Sequence, residues 1–156
     1  MRLTQWTDYT LRVLMYCAAT LERGEPVTIT EIAESHGISR SHLTKIVQEL
    51  AARGWLETTR GRGGGMRLSV PAQEICLVDV VRATETDFAM VECFDVAQNQ
   101  CRLSQHCRLK SVLNEATQSY LAVLDDITLA DLVAPITSAV RPPKSRRVPL
   151  VPGLPA

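Results

Sequence analysis

The alternation of apolar and polar positions divides the chain into a helical front, a short ribbon and a second helical half. Leu11, Leu14, Met15, Ala18 and Leu21 recur at helical spacing and predict a helix over 7–22, ended by Arg23-Gly24-Glu25-Pro26. Thr30 is placed to cap a short second helix with Ile32 and Ala33 facing inward, and His36-Gly37 breaks it. Ser39 caps a third helix, whose stripe Leu43, Ile46, Val47 and Leu50 follows an i, i+3, i+4, i+7 pattern. Arg53-Gly54 stops that helix.

Two strands are expected next, Trp55 to Thr59 and Met66 to Val70, joined by the Gly-rich turn Arg60 to Gly65. A short helix follows over 77–84. Residues 85–107 show no periodic stripe and contain three cysteines. A long amphipathic helix is predicted over 108–124, with Leu109, Val112, Leu113, Ala116, Tyr120, Val123 and Leu124 along one side. Thr128 to Val133 closes the pattern with one more helical turn. The fold class expected is mainly α with a small β wing: a winged helix-turn-helix over 1–84, a loop over 85–107, and a long helix with a closing helix over 108–134. Residues 135–156 hold six prolines and four basic residues, and this composition predicts a disordered tail.

Charge sharpens this picture. The chain has 17 basic and 17 acidic residues and is neutral as a whole. Residues 1–67 nevertheless carry nine basic against seven acidic residues, and residues 68–132 carry four against ten. Between residues 39 and 67, Arg40, Lys45, Arg53, Arg60, Arg62 and Arg67 face only Glu49 and Glu57. Such a local basic footprint suits the phosphates of double-stranded DNA. The second helix of a helix-turn-helix presents its N-terminal residues to base edges in the major groove. Here these are Ser39, Arg40, Ser41, His42 and Lys45, all able to donate hydrogen bonds. In the turn, Arg60 and Arg62 could enter a narrow minor groove, and glycines such as Gly63 let backbone approach phosphate.

No apolar stretch approaches the roughly 20 residues of a membrane span. Asp8 and Arg12 interrupt the only stretch resembling a signal peptide, so a cytoplasmic protein is expected. In a reducing compartment five cysteines are thiols or ligands rather than disulfides. Cys17 within the first helix and Cys76 before the short helix are expected to pack as small hydrophobes. Cys93, Cys101 and Cys107 lie in the aperiodic segment, where a loop could wrap an iron–sulfur cluster. The spacing is not that of a zinc finger, but a structural zinc site, a thiol redox switch and unrelated surface cysteines all remain open. Asp8, in the first turn of the first helix, is by itself a residue favourable to the helix dipole.

Taken together, several motifs resemble the Rrf-two-type family of bacterial transcription regulators. They are Met1-Arg2-Leu3-Thr4, Thr7-Asp8-Tyr9, Gly37-Ile38-Ser39, the wing Arg60 to Gly65, Asp79-Val80-Val81-Arg82-Ala83, the three-cysteine loop and Thr128 to Val133. The resemblance spans residue 1 to about 134. It implies a homodimer in which the helix 108–124 crosses its partner, and Arg2 joins the residues expected at DNA. It also implies a cluster ligated by Cys93, Cys101 and Cys107. The family's assembly-regulator branch places a histidine three residues after the last cysteine, where this chain has Lys110, and His106 precedes that cysteine. The nitric-oxide-sensing repressor branch places an aspartate where Asp8 stands. That match implies a [4Fe-4S] cluster with Asp8 as fourth ligand, in cis or across the dimer, and nitric oxide as the signal. The alternative is a [2Fe-2S] regulator reporting iron or cluster supply. An electron carrier or enzyme is disfavoured, because no triad, phosphate loop or substrate motif occurs. A metal-free thiol-redox repressor is the remaining rival.

Overall fold

The computed structural model describes residues 2–103 and 105–134. The tail from residue 135, expected above to be disordered, lies outside the described residues. The first helix, α1, spans Gln5–Ala19, and a 3-10 turn at Leu21–Arg23 follows it. Then come α2 (Ile29–His36), α3 (Arg40–Ala52), the strands β1 (Leu56–Thr59) and β2 (Gly65–Leu68), α4 (Leu77–Thr84), α5 (Arg108–Asp125) and α6 (Leu129–Val133). The described residues are mostly helical with one two-stranded antiparallel sheet, paired from Leu56↔Leu68 to Thr59↔Gly65.

The core lies where α1 and α3 meet the ribbon and α6. Leu14, Ile32, Leu43, Ile46, Leu50, Ile75 and Leu129 are almost wholly removed from water. Side chains of this kind each contribute about 1.5–3 kcal/mol on burial. The predicted stripe of α3 is buried at all four positions, and Ser39 caps the helix by accepting from the His42 backbone N–H. Gly54 then takes a left-handed conformation, φ 77°, and ends the helix as expected.

The front of the chain departs from the sequence reading in two ways. First, α1 begins and ends earlier than 7–22, because Thr4 serves as its N-cap and accepts from the Thr7 backbone N–H. Its buried face includes Thr7, Thr10, Val13, Leu14, Tyr16, Cys17 and Ala18, whereas Leu21 is exposed. The helix is therefore turned so that two threonines point inward. Second, the cap of α2 is Thr28 rather than Thr30. Thr28 and Glu31 form a reciprocal capping box. The antiparallel bridge between Val27 and Met66 fixes the chain just before that cap, with N···O distances of 2.9 and 2.7 Å.

Both strands are shorter than predicted. Trp55 precedes β1, and Val70 lies beyond β2. Arg23 and Glu31 form a half-buried ion pair that also receives the Tyr16 hydroxyl, 2.8 Å from Glu31 Oε1. Arg23 Nη2 donates to Glu31 Oε2 at 2.8 Å and to Pro26 O at 3.1 Å. This network closes the turn between α1 and α2. No helix among the described residues is long and apolar enough to cross a membrane.

Candidate DNA interface and cysteine segment

Helix α3 turns a polar face outward. Its inner face is occupied by Leu43, Ile46, Val47 and Leu50, so Ser39, Arg40, Ser41, His42 and Lys45 are left exposed. Thr44 and Gln48 are exposed on the same outward line. Sequence reasoning passed over both because it weighed only basic and N-terminal residues; continuing the polar i, i+3, i+7 spacing from Ser41 would have found them. Thr44 donates its hydroxyl to Arg40 O at 2.8 Å, while Gln48 extends the polar surface by a further turn. His42 leans toward α1, its ring 6.1 Å from that of Tyr9.

The wing carries Arg60 and Arg62 at its exposed tip. Its glycines divide two demands between them. Gly63 has φ 79° with open space around it, as a tight reversal requires. Gly65 is needed for packing: a Cβ there would lie 2.5 Å from Val27 O and 2.8 Å from Pro26 Cβ. Part of the glycine run thus reflects contact within the chain rather than approach to a phosphate. Arg67 donates to Gly24 O, so its charge is directed to the body of the protein. Arg2 is exposed at the head of α1. It shares a cavity of about 820 Å³ with Asp8, Tyr9, Arg12 and His36.

Asp8 and Arg12 are joined in a two-pronged ion pair, Nε–Oδ1 3.0 Å and Nη2–Oδ2 2.8 Å, with both side chains a little over 40% exposed. The Arg12 guanidinium also lies over the Tyr9 ring, 5.8 Å from its centroid. His36 has a buried Nε2 with no hydrogen-bond partner among the described residues. Burial lowers its pKa, Arg12 lowers it further, and Asp8 opposes the shift. The shift favours the neutral imidazole, whose ring lies nearly perpendicular to that of Tyr16 with centroids 5.6 Å apart.

The five cysteines separate by environment. Cys17 is buried in α1, and burial pushes its thiol up to about 12, so it packs as a protonated side chain. Cys76 donates its S–H to Asp125 O at 3.2 Å, next to its bridge with Thr128. The other three lie along the turn-rich stretch after α4. Cys93 is buried in a 3-10 turn at Glu92–Phe94, Cys101 is exposed, and half-buried Cys107 immediately precedes α5. All three are free thiols. No three His, Cys, Asp or Glu side chains among the described residues converge closely enough to hold a metal ion. The donor set nonetheless suits an iron–sulfur cluster: three unpaired thiols on aperiodic backbone and a carboxylate accessible to solvent. Within one chain the set is not drawn together.

Helix α5 packs against α4 and buries Thr117 and Leu121, with the Thr117 hydroxyl 3.3 Å from Met90 Sδ. Leu109, Val112 and Val123 of the predicted stripe are 49–65% exposed.

The Rrf2 family profile, described as an iron-dependent transcriptional regulator, matches residues 3–135. The chain belongs to the Rrf2 family of transcriptional regulators. It is 54% identical over 134 residues to the HTH-type transcriptional regulator NsrR of Bacillus subtilis (strain 168), covering 85% of this chain and 90% of that protein. Its fold is similar to that of T. potens IscR (TM-score 0.66, 26% identity, 85% of this chain and 86% of that one). It is also similar in fold to CymR of B. subtilis (TM-score 0.70, 22% identity, 86% and 97%). The protein is therefore a winged-helix transcriptional regulator and not an enzyme. Its α2, α3 and β1–β2 form the helix-turn-helix and wing.

Proposed function

We propose that this Rrf2-family protein is a cytoplasmic, nitric-oxide-responsive repressor that binds a palindromic operator as a homodimer. The reading assigns Cys93, Cys101 and Cys107 of one protomer and Asp8 of the partner subunit as ligands of a [4Fe-4S] cluster. When bound, the cluster supplies iron centres that react with nitric oxide. The observation that carries this reading is the position of Asp8. A solvent-accessible carboxylate stands one residue before Tyr9, whose ring lies beside His42 on the reading helix. A change of partner at Asp8 therefore acts on the helix that also contacts α3.

Arg12 gives Asp8 a second partner. Were Asp8 to hold the cluster, the Arg12 guanidinium, aligned for two hydrogen bonds, would be the partner available to that carboxylate whenever it is not a ligand. Two reading helices in one dimer must match half-sites separated by about 34–36 Å. Small displacements at the head of α1 thus alter affinity, and a coupling of about 1–3 kcal/mol is enough for a switch. The exposed stripe Leu109, Val112 and Val123 supplies an apolar face for a second copy of α5. In this reading the units at DNA, cluster and dimer are residues 1–84, 85–107 and 108–134.

The test is iron and acid-labile sulfide per chain, with visible absorption, on protein purified without oxygen and then titrated with nitric oxide. About four of each per chain, with bleaching on titration, is the expected result. Two irons per chain would instead favour a [2Fe-2S] sensor. Zinc or no metal would overturn the cluster while leaving the DNA interface in place.

A further inference from the structure

The C-terminal end of α4 makes two contacts that leave its own helix. Ala83 O accepts from Arg53 Nη2 at 2.9 Å, and the same guanidinium is held by Glu49 of α3 at 2.7 Å. Arg53 is the C-cap of the reading helix. The second contact starts from Glu85, which caps α4. Its Oε1 accepts from the Thr4 backbone N–H at 2.7 Å and from the Thr4 hydroxyl at 3.2 Å. Thr4 is the N-cap of α1, one turn before Asp8, and its hydroxyl also meets the buried Thr7 hydroxyl at 3.0 Å. Burial raises the Tyr120 pKa and the Glu85 charge adds to the rise, so Glu85 also lies near α5. The chain that leaves Glu85 is the segment carrying the three cysteines.

We propose that Glu85 is a positioning residue that ties the start of the cysteine segment to the cap of the Asp8 helix. With Arg53 at the neighbouring carbonyl, it forms a relay from the cysteines to the reading helix. This inference rests on the regulatory reading above. A carboxylate accepting two hydrogen bonds from a single residue is a directional tether. It joins positions 81 residues apart, which no local propensity would bring together. Displacement of the cysteine segment pulls on Glu85, and through it on both α1 and the end of α4 to which Arg53 is bound.

The experiment uses the full chain with its metal loaded, and a DNA duplex recovered from a random library by selection with the parent protein. The quantity read is the ratio of Kd after nitric oxide to Kd before it. The parent is expected to show a ratio on the order of tenfold or more. Glu85→Ala is expected to reduce that ratio to about a third or less while leaving iron and sulfide content unchanged, and Glu85→Gln, which keeps the acceptor, to restore most of it. A merely structural role would lower Tm without narrowing the ratio. A Glu85→Ala ratio equal to the parent's overturns the relay.

Should Glu85→Ala fail to fold, hydrogen exchange at the Thr4 amide of the parent decides. Protection lost after nitric oxide supports the relay, and equal protection in both states overturns it. A parent whose affinity ignores nitric oxide overturns the regulatory reading and the relay with it. A responsive parent with an unaltered Glu85→Ala ratio overturns the relay alone.

Discussion

Tyr9 on α1 and His42 on α3 face each other across 6.1 Å between ring centroids, tilted by 59°. The contact joins the head of the first helix to the first turn of the reading helix. It places the candidate ligand Asp8 one residue from a ring that lies beside the candidate DNA-reading helix. Asp8→Ala is therefore expected to alter both the visible spectrum of the loaded protein and its DNA affinity, the latter by about tenfold. Spectra and gel shifts on anaerobic protein check this. Parent behaviour in both assays would remove Asp8 from the ligand set.

The wing separates arginines by what they already hold. Arg60 and Arg62 are exposed, whereas Arg67 donates to Gly24 O. Arg62→Ala is expected to weaken DNA binding across all sequences and to reduce the slope of log K against log salt by about one. Arg67→Ala is expected to leave that slope unchanged. Affinities measured at several salt concentrations check the pair, and equal slopes for Arg62→Ala and parent would place the wing tip away from phosphate.

The ion pair between α1 and α2 predicts an acid limb of stability. Burial alone would raise the Glu31 pKa, but hydrogen bonds from Arg23 and Tyr16 outweigh it and hold the carboxyl below its ordinary 4.5. A depressed carboxylate contributes stability that is present above the unfolded pKa and lost as pH falls through the folded one. Thermal stability should therefore fall as pH drops below about 4.5, and Glu31→Gln should flatten that limb. At neutral pH the same substitution is expected to cost about 1–3 kcal/mol, because Arg23 loses its ionic partner. Urea denaturation across pH reads both effects, and an acid limb as steep in Glu31→Gln as in the parent would assign it elsewhere.

Helix α5 presents Val112 at 49% exposure beside Leu109 and Val123. Val112→Glu is expected to raise the dissociation constant of a dimer at least tenfold, equivalent to about 1.4 kcal/mol. Light scattering across a concentration series checks it. A variant that remains as dimeric as the parent would place the interface on another face.

Local pattern made much of this architecture legible. The α3 stripe and its Ser39 cap, the Gly54 stop, the bounds of α4 and the start of α5 depend on contacts within a turn or two of helix, so residue spacing encodes them. The tight reversal at Gly63 was legible for a similar local reason, whereas the need for Gly65 follows from its packing on Pro26 and Val27. The rotation of α1 was not, since Thr7 and Thr10 become core residues only because partners elsewhere in the chain surround them. The choice of Thr28 over Thr30 was legible, since Thr28 and Glu31 form a Thr-x-x-Glu capping box, a local signature the sequence reading passed over. The cysteines illustrate the division most clearly. Their aperiodic setting and free thiols can be read from order along the chain, but their separation into buried, exposed and half-buried positions cannot. Sequence by itself determined most of the elements and the candidate residue types for DNA and metal, because hydrogen bonding and periodicity act locally. Only the tertiary structure decided that Tyr9 meets His42 and that Glu85 holds Thr4, whereas the Asp8–Arg12 pair, four residues apart on one helix, follows from local spacing. Side-chain contacts between separate elements depend on how helices are rotated and stacked, and burial of the whole core sets that arrangement.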